Sequence, residues 1–348
     1  MQEPKGGSSV MSAILDGTLT YSNTVPRATV HRAAICEVFL TDSARVAEGE
    51  YLIAAQLPRV HSYYSDNVTA PAAYDPLLLV EVFRQASIYA AHTFLEAPLD
   101  NKFIFVGGEL VITDPEALRI GPRPGHAVIR AHQAGLKHRD GVVTGSTLDL
   151  VLSVDGNEAA TMRTVCQWMP GAAWERMRDR GRAALTLTPA RPHHTGRRVP
   201  AISVGRASGQ NVVLAGVEVG DHELRAQVVV DQGNPALFDH PLDHIPGALI
   251  FEGFRQSAMY AAQELFGLSP RSLLLARVET DFTRFGEFEL PTDCVVRVVE
   301  SPAADTVAFE IAMVQEDEQI ARARVHLTRT SPITGALENR FSYAAASV

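Results

Sequence analysis

The chain has 348 residues, 46% of them hydrophobic and 20% charged, with a formal net charge of −9. That length suits two domains of about 150 residues each, and the composition suits well-filled globular cores. The negative balance argues against bulk attraction to nucleic acid or an anionic membrane, although it leaves room for a local basic pocket. No basic segment precedes an apolar core near Met1, and no stretch reaches the roughly 18 apolar residues of a membrane span. Cys36, Cys166 and Cys294 are far apart and odd in number. They read as reduced thiols, so a cytoplasmic protein is expected.

Residues 1–24 read as a flexible N-terminus, and the first domain is expected over 25–168. Its strand-like runs are "AICEVFL", "YLIAAQL", "FIFVGGELVI", "HAVIRAHQAGL" and "STLDLVLSV". Between the second and third lies "DPLLLVEVFRQASIYAA" (75–91), where Asp75 is a good N-cap and Pro76 a good first helical residue. Residues 169–198, rich in Arg, Pro and Gly, read as a linker with one helical turn around Trp174–Arg180. The second domain is expected over 199–332, with strands "NVVLAGVEV", "ELRAQVVV", "SLLLARVETDF", "CVVRVVES", "VAFEIAMVQ" and "ARARVHLT". Its helix, "IPGALIFEGFRQSAMYAA" (245–262), starts at Pro246-Gly247. Residues 333–348 read as a C-terminal tail.

The chain is written twice. Glu81-Val-Phe-Arg-Gln85 overlays Glu252-Gly-Phe-Arg-Gln256 without gaps, 171 positions apart. Upstream, "VHRAAICEVFLT" (30–41) lies against "VGRASGQNVVLA" (204–215), and both place Arg two residues after Val. Each half therefore holds one long, mostly apolar helix and several short antiparallel strands. A helix apolar nearly all round is normally enclosed. The expected fold class is α+β, a double hotdog in which each antiparallel sheet wraps one central helix. A two-sheet sandwich gives no home to such helices.

Glu81, Arg84, Gln85 and His92 fall on one narrow helical stripe, and Glu252, Arg255, Gln256 and Gln263 repeat it. A solvated face with an ordinary ion pair is the plain alternative. The apolar flanks favour instead a stripe that is paired internally or faces a water-containing cavity, and the cavity is the preferred reading. Gly253 in a helix interior points to close approach of another group, or to chance.

The loops before the helices carry Arg59, His61, Tyr63, Tyr64 and Asp66 in one half, and Asp239, His240, Asp243 and His244 in the other. The spacing of His240 and His244 is that of a helical metal pair, but Pro241 and Pro246 oppose a continuous helix there. Acid–base work by a His near a carboxylate fits better, against the alternative of turn-filling polar residues. His126, His132, His138, His193 and His194 read as surface residues. No nucleophile elbow, phosphate loop or dinucleotide fingerprint is present.

The segments "VHRAAICEVFLTD" (30–42), "HSYYSDN" (61–67), "DPLLLVEVFRQASIYAAH" (75–92) and "FDHPLDHIPGALIFEGFRQSAMYAA" (238–262) together resemble the A-factor synthase (AfsA) family, over about residues 25–330. "DHPLDHIPGALIFE" is also similar, less specifically, to hotdog 3-hydroxyacyl-carrier-protein dehydratases. The family resemblance implies condensation of a 3-oxoacyl thioester, on acyl carrier protein or coenzyme A, with dihydroxyacetone phosphate. Acyl transfer would be followed by intramolecular aldol closure towards a butenolide, γ-butyrolactone or furan signal. No metal, organic cofactor, nucleic acid or membrane partner is expected, and the chain would act as a monomeric pseudo-dimer or a homodimer.

For that chemistry Glu81 is the first choice of base, with His61, Glu252 and His244 as further catalytic candidates. Arg255 and Arg84 would face the phosphate. Gln85 and Gln256 would orient neighbours, Tyr64, Asp75 and His240 would line the substrate site, and backbone N–H groups near Gly247 or Leu77 would hold the oxyanion. The differing loops suggest one productive site. The rivals are a dehydratase or thioesterase using His240 or His244 with Glu252, and a non-catalytic acyl-ligand sensor.

Overall fold

Alternating burial identifies the strands. Residues Val142–Val154 alternate buried and half-buried side chains along most of their length, as a sheet with one face on a core requires. The structure, a computed structural model, describes residues 19–185, 187, 196–221 and 223–330. The expectations for the flexible ends (residues 1–18 and 333–348) and for His193 and His194 fall outside those residues.

The first half contains β1 (Leu40–Ala47), β2 (Glu50–Leu57), helix α1 (Pro76–Phe94), β3 (Lys102–Ile112), β4 (Gly125–Arg139), β5 (Val142–Val154) and β6 (Asn157–Met169). Helix α2 (Gly171–Ala183) follows. The second half contains β7 (Leu214–Val219), β8 (Glu223–Val228), helix α3 (Gly247–Phe266), β9 (Leu273–Phe282), β10 (Asp293–Val299), β11 (Thr306–Gln315) and β12 (Glu318–Arg329). The order across the first sheet is β1-β2-β4-β5-β6-β3, and across the second β7-β8-β10-β11-β12-β9. All these pairings are antiparallel, and the two orders are the same. The β4–β5 and β5–β6 hairpins turn at Asp140-Gly141 and Asp155-Gly156, all four residues with positive φ, as two-residue hairpin loops demand.

Helix α1 buries Leu78, Leu79, Val82, Phe83, Ala86 and Ala90. Ser87 reaches Thr164 of β6 at 3.1 Å, and Tyr89 reaches Ser43 of β1 at 3.0 Å, so both sides of the helix are tied to the sheet. Helix α3 packs against β7, β8, β10, β11 and β12. Gly253 is explained by packing: a Cβ there would lie 2.3 Å from the Met313 methyl carbon.

Three features differ from the sequence expectation. The chain divides into two compact units, and Ser62–Pro76 belongs with the second rather than the first. Asp66 accounts for this: its Oδ1 accepts from the Ala207 and Ser208 N–H groups (3.2 and 2.9 Å), and its Oδ2 from Asn211 Nδ2 (2.8 Å). Second, the supposed one-turn linker segment is a 13-residue helix that buries Trp174 and Arg178 on one face. Its Arg-rich outer face hides that pattern in the sequence. Third, "AICEVFL" and "NVVLAGVEV" do not begin as strands; short 3₁₀ turns occupy Ile35–Glu37 and Gly209–Asn211.

Phe83 and Phe254 are fully buried in their central helices. Phe254→Ala is expected to cost about 3–5 kcal/mol, seen as a lowered urea midpoint. An unchanged midpoint would place α3 outside the core.

Candidate functional site

Each central helix brings one carboxylate into the interior of its unit. In the first unit the Glu81 side chain is 4% exposed and receives two guanidinium groups. Arg32 donates from Nε to Oε1 (3.0 Å), and its Nη2 lies 2.7 Å from Oε2. Arg84 donates from Nε to Oε2 and from Nη2 to Oε1, both at 2.8 Å. Gln85 adds a third donor, Nε2 to Oε1, at 2.6 Å.

The second unit repeats the knot. Arg206 donates from Nε to Glu252 Oε1 (3.0 Å) and from Nη2 to Oε2 (2.7 Å), and Arg255 Nη2 donates to Oε1 at 2.5 Å. Gln256 donates to the same oxygen. Arg32 and Arg206 are the arginines of the repeated Val-x-Arg segments, so a signal existed in the sequence; their pairing with the helical glutamates was missed.

Burial would raise the carboxyl groups of Glu81 and Glu252, but the paired guanidinium charges and their hydrogen bonds outweigh it and hold each at about 2. Carboxylates so stabilised are poor acceptors for a hydroxyl proton. The stripe carboxylates are paired internally, in place of the expected cavity lining. Burial also pushes the thiols of Cys166 and Cys294 up to about 12, which suits inert side chains.

The glutamines use their remaining groups in the same way. Gln85 Nε2 donates to the Glu37 carbonyl (2.7 Å), and Gln85 Oε1 accepts from the Phe39 N–H (3.0 Å). Gln256 does likewise with the Asn211 carbonyl (2.7 Å) and the Val213 N–H (2.9 Å). Each amide stands in for a neighbouring strand, satisfying one donor and one acceptor where the ladder has not yet begun.

Where the sheets diverge, the chemistry does too. In the first unit Glu37 turns its carboxylate to His61, with Nε2 3.2 Å from Oε1, and the side chains are only 10% and 15% exposed. The Phe39 ring stands edge-on to His61 at 5.9 Å. In the second unit the corresponding position is Asn211, whose amide goes to Asp66. His240 and His244 pair with their preceding residues, Asp239 at 3.3 Å and Asp243 at 2.6 Å, and not with Glu252 as the dehydratase-like reading requires. His92 closes the first stripe: its Nδ1 donates to the Ala97 carbonyl (2.7 Å), so its Nε2 accepts from His31 Nε2 (2.9 Å).

The two stripe arginines are not equivalent. The Arg84 side chain is 32% exposed, whereas that of Arg255 is 5% exposed. Arg255 lines a small crevice with Asn67, Thr69, Tyr74, Asp75 and Met259, where Asp75 Oδ2 lies 3.8 Å from its Nη1 and 3.6 Å from Arg206. Among the described residues its Nε has no hydrogen-bond partner. Tyr64 is buried, edge-on to Tyr63, and Gly247 opens α3 with free space beside its Cα. No helix of the described residues is long and apolar enough to cross a membrane.

Two copies of a six-stranded antiparallel sheet around a buried helix define a double hotdog protein. The chain belongs to the A-factor biosynthesis hotdog (AfsA) family, whose sequence model matches residues 17–170 and 187–331. It is 32% identical over 285 residues to a 2-oxo-3-(phosphooxy)propyl 3-oxoalkanoate synthase of Streptomyces virginiae, covering 82% of this chain and 90% of that protein. A synthase of the same name from Streptomyces griseus is 30% identical, covering 84% and 91%. Among solved structures, a pyran synthase domain from module nine of the sorangicin pathway superposes with a TM-score of 0.51, at 14% identity over 84% of this chain and 98% of that one; this likeness concerns the fold alone.

Because Glu81 and Glu252 lie at about 2 when folded and near 4.3 when unfolded, they stabilise the fold fully above about pH 4.5 and lose that contribution as pH falls towards 2. Glu252→Gln is expected to unfold more easily at pH 7 and to lose less additional stability between pH 4.5 and 3 than the unaltered protein, measured by urea midpoints. Arg206→Met, which strands a buried carboxylate, should cost about 3–5 kcal/mol.

Proposed function

We propose that this protein joins a 3-oxoacyl thioester to dihydroxyacetone phosphate, forming 2-oxo-3-(phosphooxy)propyl 3-oxoalkanoate and releasing the carrier thiol. The observation that carries the reading is the relatives' shared activity, matched over nearly their whole length. The alcohol part of their named product is the skeleton of dihydroxyacetone phosphate, and its acid part is a 3-oxoacyl group.

In this reading the His61–Glu37 pair is the base, in place of Glu81. The Glu37 carboxylate holds the nearly buried His61 imidazole in one orientation, as a general base requires. His61 takes the proton of the dihydroxyacetone phosphate hydroxyl while that oxygen attacks the thioester carbon. The tetrahedral oxyanion collapses, the C–S bond breaks, and the departing sulfur takes the proton from His61. Backbone N–H groups at the start of α1, around Leu77, supply oxyanion donors. Arg84 offers its exposed edge to the phosphate while Glu81 fixes the other edge.

Gln85 is the positioning residue, since it grips the backbone on both sides of the turn that presents Glu37 and Phe39 to His61. Arg255, Glu252 and Gln256 keep the same architecture in the second unit, but there Asn211 stands at the position of Glu37 and bonds Asp66 in place of a histidine, which favours one productive site. His240, His244, Tyr64, Asp75 and Gly247 then belong to the non-reacting unit. The open ester carries an acidic carbon and a ketone, so aldol closure is open to the product itself. The substrates are metabolites of the cytoplasm, which is where this reading puts the protein.

Incubation with a 3-oxoacyl thioester and dihydroxyacetone phosphate should yield the phosphorylated ester by mass spectrometry. Water loss from a 3-hydroxyacyl thioester, without consumption of dihydroxyacetone phosphate, would instead establish the dehydratase rival. His61→Ala should lower kcat by about 10²–10⁴-fold, and Arg84→Gln should raise KM for dihydroxyacetone phosphate more than KM for the thioester.

A further inference from the structure

The surroundings of the His61–Glu37 pair are unlike the rest of the surface. Val60 and Ile35 are the two most exposed large apolar side chains of the described residues, at 84% and 68%. Single exposed apolar residues are ordinary, but these two flank the same pair. Val60 is the chain neighbour of His61, and Ile35 lies two residues, at most about 7 Å of chain, from Glu37. The turn Ile35–Glu37 aims Ile35 and Cys36 outward while Glu37 points in to His61.

Arg59, exposed and adjacent to Val60, makes no hydrogen bond or ion pair with the described residues. Arg27 is exposed too, but donates to the Ala33 carbonyl at 2.6 Å. A nearly buried base therefore has two exposed apolar side chains within two residues of its pair along the chain, and next to one of them a guanidinium with no partner among the described residues. Two such side chains make a patch far too small for the roughly 800 Å² per partner of a stable protein interface. It suits a slender chain with an apolar middle and one anionic group.

We propose that the segments Ile35–Glu37 and Arg59–His61 form the entrance for the phosphopantetheine arm of the acyl donor. Ile35 and Val60 contact its branched pantoyl portion, and Arg59 pairs with its phosphate. This rests on the reading of His61 as the base of an acyl transfer. Coenzyme A and a carrier protein share this arm, so the assignment concerns the chemistry common to both.

The test compares three thioesters of one 3-oxoacyl group: coenzyme A, carrier protein, and N-acetylcysteamine, which lacks the pantoyl part and the phosphate. In Arg59→Glu, and separately in Val60→Asp, KM for the first two should rise about tenfold or more. The N-acetylcysteamine rate and KM for dihydroxyacetone phosphate should stay unchanged. Cys36 is the exposed cysteine, Cys166 and Cys294 being buried. A bulky maleimide should therefore block the coenzyme A and carrier reactions, and Cys36→Ser should resist the block.

An equal loss with all three donors, or no loss with any, overturns the entrance while leaving the acyl transfer standing. A rise confined to coenzyme A would assign Arg59 to the nucleotide, and one confined to the carrier would assign it to the carrier's protein surface; both outcomes overturn the proposal. Failure of the unaltered protein to turn over any of the three removes the reading of the reaction itself, and the entrance with it.

Discussion

A glutamate buried in the middle of an apolar helix carries a desolvation cost that only close, geometrically matched opposite charge can offset. In this protein each central helix meets that demand in the same way. A guanidinium from the Val-x-Arg segment and another from one turn along the helix grip both oxygens of the carboxylate. The glutamine one residue further on adds an N–H and then completes the hydrogen bonding of the chain entering the first strand. Helix position, strand start and the path of the preceding turn are thereby fixed by one knot of four side chains.

Because the knot satisfies itself, it can be duplicated without chemical consequence, and the two units differ in what they hang on it. In the first, the turn held by Gln85 ends in Glu37, which meets His61. In the second, the turn held by Gln256 ends in Asn211, which is taken up by Asp66. The same scaffold thus carries the His61–Glu37 pair in the first unit and the Asn211–Asp66 contact in the second. The exposed edge of Arg84, against the enclosed Arg255, follows the same division.

The family's hotdog architecture was legible in the sequence because its signals are local and repeated. Strand-like runs at matching positions, two long apolar helices and a gapless pentad needed no tertiary information. The helix start at Pro246-Gly247 was legible for the same reason. The Trp174–Arg178 helix was under-read because its buried face is only two side chains wide. The first turns of "AICEVFL" and "NVVLAGVEV" were misread as strand because the partner that stops the ladder there is a side-chain amide 43 or more positions away.

The sequence by itself determined the duplication, the fold class, the family and the set of polar residues that chemistry must draw upon. Only the tertiary structure decided what each of them touches. Glu81 and Glu252 look like bases on a helical wheel, because a wheel shows spacing and nothing of what stands opposite. Arg32 and Arg206 are 49 and 46 positions from the glutamates they neutralise, and Glu37 is 24 positions from His61. Proton affinity depends on the charges within a few ångströms of a group, and that neighbourhood exists only once the chain has closed around its two helices.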